Sequence, residues 1–339
     1  MSYDPKGSSI RVLEELLSKV YGDMSVPRSL TALFVMTCTA SALYGQKPEQ
    51  VRTWKGLLGS TSFGVFSSDG RRLVYADGRA AVIADTVDGC NEVRLSGHIG
   101  PVWVARFSGD GKKVVTVGQD ETVRVWETTT GKQVRELFAN TSGRCTTLTV
   151  SRTGNLAGFS TDKDRMLRMM DLVKANERGH IGLTAAQASF RCLTRDCRYA
   201  MSNGITNGTK FWDTVTGRSQ SIDNGHHNYC GQFSHDGRFA ILGGAFQWDI
   251  WDLRRKMRIA AGKVTGGHVY AVAMSRKGDR MLTGLSDGVV WGWDVKAGTE
   301  QFVLRGHEAP IHAVMLSPDG GYALTADSGQ NIILWRVGK

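Results

Sequence analysis

This chain lacks a long apolar run. Its most apolar stretch, residues 30–44 (LTALFVMTCTASALY), is too short for a membrane-spanning helix, so no span is expected in the mature chain. Cysteine is sparse: Cys38 sits within that stretch, and five others follow at Cys90, Cys145, Cys192, Cys197 and Cys230. An odd set of five is no disulfide framework. Cys192 and Cys197 flank a turn; they pair if the protein is exported, or stay as free buried thiols. Proline is scarce, at 6 residues against 41 glycines, which suits many tight turns between short strands.

The signatures of common chemistries are missing as well. There is no P-loop, no H-E-x-x-H and no glycine-rich dinucleotide turn. Gly284-Leu-Ser286-Asp-Gly288 spells G-x-S-x-G, but a nucleophile elbow needs a strand-to-helix turn and this string lies between strands. His226-His227 is a poor metal pair, because adjacent residues on a strand point to opposite faces; Asp223 and Cys230 complete no ligand spacing. Asp162-Lys-Asp164 lacks the glycine and distal glutamate of a calcium loop. No catalytic residue, metal or cofactor is therefore assigned. Asn140-Thr-Ser142 and Asn207-Gly-Thr209 are glycosylation sequons that matter only in a secreted eukaryotic protein.

What is present begins with charge. The net charge is +10. Residues 1–46 balance four cations (Lys6, Arg11, Lys19, Arg28) against four anions (Asp4, Glu14, Glu15, Asp23), so the excess lies in the later part. A basic surface favours acidic partners, nucleic acid or anionic lipid, or serves as a solvated face. The segment 1–50 stands apart. Residues 10–20 have helical spacing, with Ser8 or Ser9 as N-cap. Arg28, the 30–44 run as h-region, and Ala40 and Ala42 as an A-x-A pattern resemble a signal peptide starting at Met24. Export to a periplasm or envelope is the expectation, and a retained amphipathic helix on a cytoplasmic protein is the alternative. No lipoprotein box precedes Cys38.

From residue 51 to 339 the chain is periodic. One complete unit occupies residues 97–131 (GHIGPVWVARFSGDGKKVVTVGQDETVRVWETTTG). Its first turn recurs at Ser67, Ser108, Ser151, Thr194, Ser234, Ser275 and Ser317, at spacings of 40–43 residues. A tryptophan recurs 39–44 residues apart at Trp126, Trp212, Trp251, Trp293 and Trp335, with Ala84 and Met170 filling two slots. Both markers give seven repeats, and alternation within each strand buries one face. The pattern resembles the WD40 repeat family, which implies an all-β, seven-bladed β-propeller of four-stranded blades.

The resemblance also implies a buried His–Ser/Thr–Asp–Trp tetrad in each blade. Repeat two matches it with His98, Thr116, Asp120 and Trp126. Repeat six keeps Thr283, Asp287 and Trp293; its Gly267-His268 lies too close to the turn, so Thr265 holds the histidine slot. Repeat seven keeps His307, Thr325 and Trp335, with Gly329 where the Asp is expected. Repeat three keeps Ser160 and Asp164, with Met170 for Trp. In repeat four a second GHIG string, at Gly179–Gly182, is too far upstream. The chain ends on a third strand, so residues 51–58 (VRTWKGLL), which align with the outer strand QFVLRG, are expected to complete the last blade.

Such propellers bind partners on the face where the inner strands begin. Counting five residues back from each turn gives Ser62, Trp103, Thr146, Ser189, Tyr229, Tyr270 and His312; Gln119, Lys163 and Ser286 precede the Asp slots and rim the same mouth. Tyr and Trp suit binding hot spots; alternatively Trp103 and Tyr270 plug the channel. The expected function is a monomeric, non-catalytic protein-interaction scaffold. An enzyme or cofactor-binding propeller and a single-stranded nucleic-acid binder remain alternatives. A signal-like leader before a bare ring resembles a bacterial envelope protein.

Overall fold

A computed structural model describes residues 47–55, 64–139, 143–163, 166–183, 187–204, 208–222 and 227–338. The expected leader helix at 10–20 and the h-region at 30–44 lie outside them, as do Ser62, Asp164, His226 and both sequon asparagines. Among the described residues there are 28 strands in seven four-stranded sheets, each an antiparallel meander. No described helix is long and apolar enough to cross a membrane. The first strands of successive blades touch one another in sequence, and that of blade seven (Ile311–Leu316) touches that of blade one (Val65–Phe66). The ring is closed.

The repeat motif explains each blade. In the turn between first and second strands, the Ser108 hydroxyl donates to Asp110 at 2.6 Å and accepts from the Lys113 N–H at 3.0 Å. Asp110 also accepts from the Lys112 N–H, so three side-chain bonds close the turn. Gly111 sits at φ +71°, which a residue with a Cβ adopts only under strain. Ser67, Ser234 and Ser317 build the same turn with Asp69, Asp236 and Asp319. Blade four departs: Cys197 occupies the glycine position at φ +58°.

Blades pack through apolar seams. Val104, Val115, Val117 and Val125 of blade two bury against Leu148, Phe159 and Met170 of blade three. Trp126 turns the other way, against Val74, Ala81 and Ile83 of blade one. The same two-sidedness separates the cysteines of blade four. Cys197 packs with Phe190 and Trp212 towards blade three, whereas Cys192 packs with Met201 and Phe211 towards blade five. All five described cysteines are free, so the Cys192–Cys197 pair is not formed. Burial pushes both thiols up to about 12, which keeps them protonated.

The strand that closes the ring is Glu49–Lys55, which pairs antiparallel with Asn331–Arg336. Trp54 lies opposite Ile332, and an Arg336–Glu49 ion pair of 2.9 Å ties the outer end. The strand starts two residues earlier than the sequence pattern suggested; residues 56–58 are not among those described. It covers the hydrogen-bonding edge of Asn331–Arg336, which an open array leaves exposed. Removing residues 49–55 is expected to abolish the cooperative thermal transition. A melt as sharp as the parent's would mean the ring holds without its closing strand.

Candidate functional site

Inside each blade, the hydroxyl of the second strand faces the indole of the third. In blade two, Trp126 Nε1–H donates to Thr116 Oγ1 at 2.8 Å, and His98 Nε2 lies 2.7 Å from the same oxygen. Thr116 accepts from the indole, so its own proton goes to His98 Nε2. His98 Nδ1–H is then left to donate to Asp120 at 2.9 Å. Asp120 further accepts from Thr122 Oγ1 and the Ile99 N–H. Every polar group in this buried relay has a partner, the condition under which such networks stabilise a fold.

Blade seven builds the same relay from a different position. His307 bridges Thr325 Oγ1 and a carboxylate, both at 2.7 Å, and Trp335 donates to Thr325 at 2.8 Å. The carboxylate is Asp327, two residues before the Gly329 slot. The exchange is compensated. A Cβ at Gly118, the blade-two equivalent of Asp327, lies 2.4 Å from His98 Nδ1. A Cβ at Gly329 lies 3.2 Å from Asp327 Oδ1. One carboxylate fits, from either side of the turn.

The other blades keep less. Blade six retains Trp293 donating to Thr283 at 2.9 Å, but Thr265 and Asp287 are both exposed, and Asp287 caps the Val289 N–H instead. Blade four retains Trp212 donating to Ser202 at 2.8 Å. The second GHIG string lies in the outer strand Asn176–Gly182, where exposed His180 meets Glu177. In blade five, Leu242 takes the hydroxyl position, and Trp251 Nε1 has no partner among the described residues. In blade three the position opposite the third-strand arginine is Phe159 rather than Ser160, matching Thr116 opposite Arg124. An apolar Phe159–Met170 seam replaces the relay there.

The first strands enclose a channel of about 490 Å³. At the mouth where these strands begin, its wall includes Thr146, Tyr229, Tyr270 and His312. Trp103, Gln119, Lys163 and Ser286 stand off the wall: Trp103 is half-buried under the Arg144 guanidinium, 5.4 Å from its ring, and Gln119 and Lys163 are exposed. Ser286 accepts from the His268 N–H at 3.0 Å. Ser189 lies in a strand, but its side chain is outside the described set.

Two residues not anticipated from the pattern join this mouth. His268 and Phe246 have ring centroids 4.7 Å apart, and His268 lies 5.3 Å from Tyr229 and 6.2 Å from Tyr270. Tyr229 and Tyr270 meet edge-on at 5.6 Å. Tyr229, Phe246 and Tyr270 are 36%, 51% and 37% exposed, so the four rings form an open aromatic shelf over blades five and six. Phe246 holds φ +58° in its turn, a strained place for a bulky exposed ring. Its signal in the sequence is an aromatic residue at the left-handed turn position that Glu121, Gly288 and Gln330 hold in blades two, six and seven.

Three stretches, 89–127, 261–294 and 298–336, match the family described as WD domain, G-beta repeat. With seven closed four-stranded blades and the relays of blades two and seven, this decides the family. The chain is a WD40-repeat propeller. It is 24% identical over 282 residues to a serine-threonine kinase receptor-associated protein of Dictyostelium discoideum, covering 81% of this chain and 94% of that one. It is 23% identical to autophagy-related protein 16 of Arabidopsis thaliana, covering 76% of this chain but only 52% of that relative. A solved chain from a mitotic checkpoint complex superposes with a TM-score of 0.73 at 17% identity, over 87% of this chain and 93% of that one; it shows the shared fold. Among the described residues no three His, Cys, Asp or Glu side chains converge as a metal site.

Two outcomes follow for this WD40 ring. Asp327→Gly strands the His307 Nδ1–H and is expected to cost about 2–3 kcal/mol, while adding Gly329→Asp should recover at least half. Urea melts of the single and double variants measure this; a double variant no more stable than the single would refute the exchange. The second outcome concerns acid. Burial holds His98 below its ordinary pKa even though Asp120 opposes this, and burial beside Arg195 and Arg276 holds His235 at about 4. Burial alone raises Asp120, but bonds from His98, Ile99 and Thr122 hold it at about 2. Below about pH 6.5 the unfolded chain takes up imidazole protons that the fold refuses, so stability falls with pH. Asp120 adds to the loss only below about pH 4. The melting temperature should drop steadily from pH 7 to 5; a flat profile there contradicts the assignment.

Proposed function

We propose that this propeller is a protein-interaction scaffold whose partner docks on the mouth where the inner strands begin. The observation that carries the reading is the aromatic shelf of Tyr229, Phe246, His268 and Tyr270. Rings packed against one another lose little entropy on binding and present large, partly apolar area, the character of interface hot spots. Trp103 under Arg144 extends the surface towards blade two. Thr146 and His312 in the channel wall link the two. That a relative is named for its association with a kinase receptor supports an interaction role for such a ring.

We place this scaffold inside the cell. The five described cysteines form no disulfide, and three of them are buried, which suits a reducing compartment. The relatives quoted above are from eukaryotes, which favours retention over the bacterial-envelope resemblance. The N-terminal segment ahead of the closing strand Glu49–Lys55 is then retained in the chain.

Affinity capture from the native host with intact protein and with Tyr229→Ala/Tyr270→Ala tests the face. A hot-spot pair contributes at least about 2 kcal/mol, so the captured partner should bind roughly 30-fold or more weakly to the double variant. Both side chains are over one-third exposed, so the variant should melt with the parent. Equal recovery by both baits would place the docking surface elsewhere.

A further inference from the structure

The opposite end of the channel has a different chemistry. Arg195, His235 and Arg276 occupy one equivalent position, directly after the turn's first residue, in three consecutive blades. All three line the channel wall. Deeper in the same wall stand Arg106 and Arg191; Arg191 falls in an irregularity of its strand between Phe190 and Cys192, which gives it a place in the channel lining. The sequence hides this cluster, because Arg195, His235 and Arg276 are 40 and 41 residues apart and Arg106 stands 85 residues before Arg191; only ring closure brings them together.

Among the described residues no Asp or Glu lines the channel wall beside Arg195 and Arg276; Asp236 favours the charged form of His235, but burial and the two arginines outweigh it. The carboxylates nearest in sequence are committed to their own turns. Asp196 accepts from Thr194 Oγ1 and the Arg198 N–H. Asp236 accepts from Ser234 Oγ and the Arg238 N–H. Asp279 accepts from Ser275 Oγ. The Cys192 and Cys230 thiols beside Arg191 stay neutral, with burial pushing each up to about 12. Arg195 and Arg276 are close enough to disfavour each other's charge. Like charges gathered in a low-dielectric cleft focus a positive potential on any anion that enters.

We propose that this arginine-lined end of the channel binds a small, multiply charged phosphoryl anion. Guanidinium forks match phosphate oxygens two at a time, and those of Arg195 and Arg276, with a protonatable imidazole between them and Arg191 deeper in the wall, suit a ligand carrying several phosphoryl groups. Ser68 adds a hydroxyl at the same mouth. The volume of about 490 Å³ admits a small ligand and falls in the ordinary range for such sites. A bound anion relieves the repulsion between Arg195 and Arg276. It would also tie blades four to six together from the end opposite the aromatic shelf.

Calorimetric titration of the full chain with tripolyphosphate tests this, beside Arg195→Ala/Arg276→Ala and Arg254→Ala/Arg255→Ala. The second pair is exposed in a blade-five turn outside the channel and controls for diffuse charge. Saturable one-to-one binding is expected, at least about tenfold weaker in the channel variant and unchanged in the control. Without anion the channel variant should melt no lower than the parent, since a repulsion is removed. Should it melt lower, Arg195→Lys/Arg276→Lys keeps the charge, loses the fork, and should still bind more weakly than the parent. Vesicles containing phosphatidylinositol bisphosphate separate the sources: co-sedimentation lost in the channel variant points to a lipid headgroup, and none to a free anion. Absent binding, or equal loss in both alanine pairs, overturns the proposal. So does a single-stranded oligonucleotide that binds more tightly than tripolyphosphate and depends on both pairs.

Discussion

Everything in this molecule depends on one backbone pairing, that of Glu49–Lys55 with Asn331–Arg336. Each four-stranded blade is too small to bury both faces alone, and each leans on two neighbours. Blade seven owns only three strands from the C-terminal end of the chain; its fourth arrives from the other end. The pairing thus converts a row of blades into a ring in which every seam has two sides. The channel, its two mouths and the juxtaposition of residues from distant repeats are consequences of that closure.

Within this frame, the Trp–Thr–His–Asp relay is redundant stabilisation. Among the described residues, blades two and seven alone hold it complete, and blades four and six keep the hydroxyl–indole half. Blade three substitutes an apolar seam of Phe159 and Met170. This pattern has a physical logic. A half-satisfied polar network is worse than an apolar core, so loss of histidine favours either reduction to one direct bond or replacement by hydrocarbon. Blade five is the exception, with the Trp251 indole buried beside Leu242 and left unpartnered among the described residues.

The fold was legible because its signals are local and repeated. Gly111, Asp110 and Ser108 report a turn wherever they recur, and Trp126 marks a strand at a fixed distance from it. The site was less legible because its signals are relational. Asp327 was invisible as a relay member, since the slot was read at a fixed offset, whereas the requirement is only that one oxygen reach His307. Repeat three slipped by one residue because its turn before the third strand is longer, which moved Phe159 into the place expected for Ser160. His268 was read as a displaced tetrad histidine; its surroundings of Tyr229, Phe246 and Tyr270 exist only in three dimensions. Exposure could not be read either, and it is what separates Tyr229 on the shelf from Trp103 under Arg144.

The closed ring also gives the molecule polarity. Residues that precede the first strands set one mouth, and residues in the turn after them set the other. The first set is aromatic at Tyr229 and Tyr270; the second is cationic at Arg195 and Arg276, with the imidazole of His235 between them. Both sets fall on the same sector of the ring, blades four to six. Among the described residues none of its blades has the histidine-bridged relay: blades four and six keep the hydroxyl–indole bond alone, and blade five has no hydroxyl for its indole. Blades two and seven, which hold the complete relays, lie outside it. The aromatic shelf and the arginines of the channel mouth thus lie apart from the two complete relays. The closed ring thus carries exposed rings, a left-handed Phe246 and neighbouring guanidinium groups in a sector whose described residues do without the full relay.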